Sequence, residues 1–120
     1  MSCTVIKMNR PARQDFRELP VNLLASFEEK PFAPELVYQE LSDVNGVSVF
    51  LMVFEKFYLR NSSTTAATVQ ILDSGTEQTA TVIGTGGGSG VLNTNYGSHA
   101  DLTFALADAL AKCGFAKIEG

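Results

Sequence analysis

The chain has 120 residues, 45% of them hydrophobic and 18% charged, with a formal net charge of −4. This size and balance describe one globular domain over residues 1–120, able to build a core without metals or disulfides. A chain with a pI near 4.8 lacks the clustered positive charge that nucleic acid or an anionic membrane demands, so neither is an expected partner.

Residues 3–8 are β-prone, and Asn9-Arg10-Pro11 is expected to end them. Residues 11–29 carry Phe16, Leu19, Leu23, Leu24 and Phe27 at helical spacing, which predicts one buried stripe. Pro20 interrupts it. Proline lacks an amide donor and clashes with the preceding turn, so a kink or two short helices are expected. Arg10, Arg13 and Arg17 share a face if residues 11–19 are helical. With Asp15 and Glu18 among them, a solvated face is the preferred reading.

Residues 35–42 suit a short helix by the spacing of Leu36, Val37, Glu40 and Leu41, or a strand by alternation. The strand is preferred because Asp43-Val44-Asn45-Gly46 then turns into the next one. Residues 47–60 are the clearest strand. Their odd positions, Val47, Val49, Leu51, Val53, Glu55, Phe57 and Leu59, are almost wholly apolar and are expected to meet the helices. Their even positions are apolar too, from Phe50 to Phe54. A sheet with one wet face alternates more cleanly, so a neighbouring subunit is expected over the second face.

Asn61-Ser62-Ser63 is a turn. Residues 64–72 and 76–84 read as two further strands about a tight turn at Asp73-Ser74-Gly75, with Thr65, Ala67, Val69 and Ile71 on one face of the first. Residues 91–96 suit another short strand. Ser98 with Asp101 resembles a capping box, and Leu102, Leu106, Ala109, Leu110 and Cys113 continue as a helix that Gly114 caps. The predicted fold is an α+β two-layer sandwich. It has four to five antiparallel strands with two helices on one face, in the order β-α-β-β-β-β-α.

Cys3 and Cys113 both read as packed small side chains and not as nucleophiles. No basic segment leads into a long apolar one, and the apolar run 47–54 is too short to span a bilayer. The expected setting is cytoplasmic, with reduced thiols.

The glycine tract Gly84-Thr85-Gly86-Gly87-Gly88-Ser89-Gly90 is the strongest local signal. Consecutive amides in such a tract make anion-binding nests, and a helix start adds partial positive charge. The spacing fits neither a dinucleotide fingerprint nor a P-loop, because Ser89 replaces the last glycine and no Lys-Ser/Thr follows. A loop or close backbone packing is therefore preferred over a phosphate site. Glu55, on the expected core side, should pair with a cation or titrate high. Lys56, Tyr58 and Arg60 share the opposite face. His99 is the only histidine. It fits the exposed first turn of a helix better than a triad or a metal set, and no metal or cofactor is expected.

The run Val53-Phe54-Glu55-Lys56-Phe57-Tyr58-Leu59-Arg60-Asn61, followed by a polar hairpin, Gly86-Gly87-Gly88-Ser89-Gly90 and a last helix, resembles a family of small bacterial proteins known only as a domain of unknown function. The resemblance covers residues 47–112 and implies the same element order and a bacterial cytoplasmic origin, but no activity.

Three functions follow from these residues. The preferred one is a non-enzymatic binding or assembly module, a homo-oligomer (a dimer) joined through its sheet. The alternative binds a small anionic ligand through Gly86, Gly87, Gly88 and Gly90 with Glu55, Lys56, Tyr58, Arg60 and His99 around them. The least favoured is a small enzyme using Glu55, Tyr58 or His99.

Overall fold

The computed structural model describes residues 2–28, 33–58, 63–86 and 98–118. In chain order these form β1 (Ser2–Pro11), a 3₁₀ turn (Gln14–Glu18), α1 (Leu19–Ala25), β2 (Glu35–Val44), β3 (Val47–Tyr58), β4 (Ser63–Asp73), β5 (Glu77–Gly86), α2 (Ser98–Lys112) and β6 (Ala116–Lys117). The six strands make one antiparallel sheet in the order β2-β3-β4-β5-β1-β6. The α+β class agrees with expectation, while the strand count and order differ in detail. The additions are β6 and a longer β1, which runs through Asn9 and Arg10 to Pro11 because each keeps a partner on β5. The strand expected at 91–96 lies outside the described residues.

Local chemistry accounts for the elements. Asn45 and Gly46, both at positive φ (51° and 83°), make the two-residue hairpin turn that settles residues 35–44 as strand. Pro20 sits in the first turn of α1, where its missing amide costs nothing. It thereby divides the predicted helix into a 3₁₀ turn and α1. Gly114, at φ 101°, closes α2 in the left-handed conformation. Its amide donates to the Ala111 carbonyl at 3.0 Å and the Phe115 amide to Leu110 at 3.1 Å, the paired bonds of a Schellman cap.

The register decides which sheet face is the core. Phe50, Met52 and Phe54 on β3 align with Ile71, Val69 and Ala67 on β4, and these with Ala80, Val82 and Gly84 on β5. These residues are buried beneath Phe16, Leu19 and Leu23 from the first helical segment and Leu102, Leu106 and Leu110 from α2. The Phe16 and Phe50 rings lie 5.7 Å apart. The even face of β3 therefore meets the helices and the odd face does not, which reverses the expectation. With both faces of β3 apolar, its neighbours decide: β4 and β5 offer most of their apolar positions to the even side, and to the odd side Thr68, Gln70, Thr79 and Thr81 along with Leu72 and Ile83.

One end of the core is polar. Arg10, expected on a solvated helix face, instead lies in β1 with its side chain fully buried. Its Nε donates to Gln78 Oε1 at 2.6 Å, its Nη1 to the Cys113 carbonyl at 2.6 Å and its Nη2 to Asp15 Oδ1 at 2.7 Å. The guanidinium also stands 4.5 Å from the centre of the Phe115 ring. Arg13 adds a second bond to the Cys113 carbonyl at 3.0 Å, and Gln78 Nε2 donates to the Arg13 carbonyl at 3.0 Å. Two cations thus meet the negative end of α2, where the helix dipole favours them.

Burial pushes the Cys113 thiol up. Arg10 and Arg13 pull it down, and Asp15 adds to the rise. Cys3, expected to be packed, is exposed on the opposite face of the sheet. Only the thiolate alkylates, and access limits it further. In dilute protein near neutral pH, iodoacetamide should modify Cys3 well before Cys113, as read by peptide mass spectrometry; equal rates would contradict this burial. Among the described residues no helix is long and apolar enough to cross a membrane.

Candidate functional site on the open face of the sheet

The face of the sheet turned away from the helices is built from the odd positions of β1, β3 and β5, the even positions of β4, and Glu35, Tyr38, Glu40, Ser42 and Val44 of β2. The bulge between Leu36 and Tyr38 shifts the alternation of β2 by one residue. Three rows cross this face through the ladder. The upper row is Tyr38–Val53–Thr68–Ile83–Val5, the middle row Glu40–Leu51–Gln70–Thr81–Lys7, and the lower row Ser42–Val49–Leu72–Thr79–Asn9.

No described element lies over these rows. Val49, Leu51, Val53 and Ile83 are half-buried. Val5 is 51% exposed, Tyr38 48% and Leu72 39%. Single exposed apolar side chains are ordinary, but here apolar side chains recur on each of five strands, interrupted by Thr68, Gln70 and Thr81. Within the three rows the charges are sparse, while Glu35, Glu55 and Glu77 lie on the same face beyond them. Lys7 is the one cation on this face among the described residues, at the β1 end of the middle row, and Glu40 stands at the β2 end. The Tyr38 hydroxyl donates to Glu40 Oε2 at 3.1 Å, and this bond with the carboxylate's charge raises the phenol above its ordinary pKa.

The residues singled out in the sequence gather at one end of the sheet. Glu55 and Lys56 lie near the end of β3, and Tyr58 closes it opposite Ser63. Gly86 ends β5 opposite Ser2 at that same end, with β4 between it and β3. His99 falls in the first turn of α2, which runs back over β5, β1 and β4 to the Arg10 cluster. Arg60, Gly87, Gly88 and Gly90 lie outside the described residues.

Glu55 is exposed on the open face and not on the core side as expected, because the core lies on the other face of β3. It stands across from Glu35 on β2. Alternation along β3 sends the Lys56 side chain to the opposite face from Glu55, although both residues border one depression at the strand end. A shallow depression of about 290 Å³ between Ala33, Glu35, Glu55, Lys56, Phe57 and Thr64 occupies this end. Two carboxylates at its rim oppose an anion. The first glycine of the tract, Gly84, is buried in β5 between Thr4 and Ala67. Among the described residues no three metal-ligating side chains converge.

The sequence reading missed Tyr38, Glu40, Lys7, Ile83 and Leu72 as a single surface. Its signal was the doubly apolar run 47–54, which pointed to a covered second face but named the wrong one.

The fold and this face together describe an open-faced antiparallel α+β sandwich with one helix-covered side. Residues 6–114 match a family of unknown function, DUF6054, and the chain belongs to that family. No curated protein and no solved structure matches the chain.

Proposed function

We propose that this chain is a non-enzymatic assembly module, of bacterial cytoplasmic origin, that self-associates as a dimer through the open face of its sheet. The observation that carries the proposal is the apolar field of Val49, Leu51, Val53 and Ile83, extended by Tyr38, Val5 and Leu72, with no described element above it. Five strands spaced by about 4.8 Å, with three rows of side chains covering about 20 Å along strands that rise about 3.3 Å per residue, present roughly 480 Å² in projection. The accessible area of a side-chain surface exceeds its projection, which brings the face toward the roughly 800 Å² per partner of a standard stable interface. The competing reading, a small anion held by the glycine tract and Lys56, draws support from their shared end of the sheet. It is disfavoured by Glu35 and Glu55 at that end and by the net charge of −4.

Sedimentation velocity over a range of protein concentrations tests this. The wild-type chain should shift from monomer to dimer. Leu51→Asp, placing a charge at the middle of the field, should weaken the association at least about tenfold, a change of about 1.4 kcal/mol, without unfolding the monomer. A wild-type chain that stays monomeric into the millimolar range would sink the proposal.

A further inference from the structure

Resting on that reading, we infer that the two copies meet about a two-fold axis running along β4, so that Glu40 of each faces Lys7 of the other.

Two-fold axes lying between face-to-face sheets are of two simple kinds. An axis across the strands sets every strand over its own copy. The middle row then places Glu40 on Glu40 and Lys7 on Lys7. The outer rows exchange, which puts Tyr38 over Ser42, Val5 over Asn9 and Ile83 over Thr79. Like charges meet, and although Leu51 packs on its own copy and Val53 on Val49, the other apolar side chains face polar ones.

An axis along the strands inverts the strand order. Its centre is β4, the third of the five strands that carry this face. β2 then lies over β1, and β3 over β5. In the middle row Glu40 meets Lys7 twice, once on each side of the axis, and the two Gln70 amides meet on it. An amide offers both donor and acceptor, so the Gln70 pair satisfies itself. In the upper row Tyr38 meets Val5, and Val53 meets Ile83. In the lower row Ser42 meets Asn9, and Leu72 packs on its own copy.

Leu51 meets Thr81 and Val49 meets Thr79, where the threonine methyls face the apolar side chains, and every other pair sets apolar on apolar, polar on polar or, in the middle row, cation on anion. Packed sheets cross at about −30° and stand about 10 Å apart. At a charge two strands from the axis that rotation is a lateral offset of about 5 Å, within reach of the long Lys and Glu side chains. Charge placement of this kind sets orientation more than affinity. Lys7 and Glu40 therefore act as the registration marks of the interface, and the apolar rows supply its strength.

Reciprocal charge reversal tests the geometry by sedimentation equilibrium. Lys7→Glu and Glu40→Lys each create two repulsive pairs in the dimer and should each raise the dimer Kd about tenfold or more at low salt. The combined K7E/E40K chain restores both pairs with exchanged signs and should return the Kd to within a few-fold of wild type. Both residues are exposed, and thermal melts of the three variants check that the monomer is unaltered. If the wild type dimerises and Leu51→Asp weakens it, but single reversals leave the Kd unchanged or the double variant stays as weak as the singles, this axis is wrong while self-association stands. A wild-type monomer at every concentration would remove both.

Discussion

Replacing Arg10 with methionine should lower the unfolding free energy by about 3–5 kcal/mol, the range for breaking a buried charged network by removing one member. Methionine matches the bulk of the arginine stem but none of its donors. Gln78 Oε1 then loses its 2.6 Å partner in a site where Gln78 is fully buried and water does not reach it. The Cys113 carbonyl at the end of α2 keeps only the Arg13 bond at 3.0 Å. Asp15, whose side chain is 37% exposed, rehydrates and contributes less. Arg10→Lys keeps the charge but replaces a planar fork with a single point, so its loss should lie between wild type and methionine. The control is Arg17→Ala. Arg17 stands 4.0 Å from Asp43 with both side chains mostly exposed, and its removal should cost less than about 1 kcal/mol. Urea denaturation of the three variants decides. An Arg10→Met chain as stable as the Arg17→Ala chain would show that the cluster does not hold the end of the sheet together.

The second large effect separates the two faces of β3. Phe54 is fully buried against the helices, and Phe54→Ala should cost about 3–5 kcal/mol through lost transfer energy and the cavity left behind. Leu51 lies three residues away in the same strand but on the open face. In dilute, monomeric protein Leu51→Ala should cost on the order of 1 kcal/mol, because its surroundings already admit water. The reverse ranking would place the helices on the odd face. Run at high concentration, the same comparison should find Leu51→Ala more damaging than in the monomer if the proposed dimer forms there, since association then adds to the stability of the wild type.

The strands of the meander were legible in the sequence because period-two patterns and turn residues are local signals. Asn45-Gly46 and Ser74-Gly75 each announce a reversal within four residues, and Gly114 announces the end of α2 in the same way. The facing of β3 was not legible from β3 alone. Val49, Leu51 and Val53 are as apolar as Phe50, Met52 and Phe54, so only the register with β4 and β5 decides between them. Propagating that register from Ala67, Val69 and Ile71, already recognisable as one face, would have identified the core side. Arg10 was misread for a different reason. Its partners Gln78 and Cys113 lie 68 and 103 residues away, and no local pattern signals a contact at that range. Of the candidate site, the gathering of Glu55, Lys56 and Gly86 at one end follows from topology, while the open face depended on knowing which side the helices take.

The position of β1 has a kinetic consequence. β2 to β5 pair in chain order with few residues between successive strands, so their contacts need little loop closure. β1 comes first in the chain yet sits beyond β5, and its ladder closes across most of the domain. Closing a long loop is entropically slow, and contacts of high sequence separation retard folding. The meander is thus the part free to organise early, and β1 is the part that arrives late. Lys7 travels with it. A chain that has folded only its meander carries the apolar centre of the face and Glu40, but lacks the cation that would orient a partner.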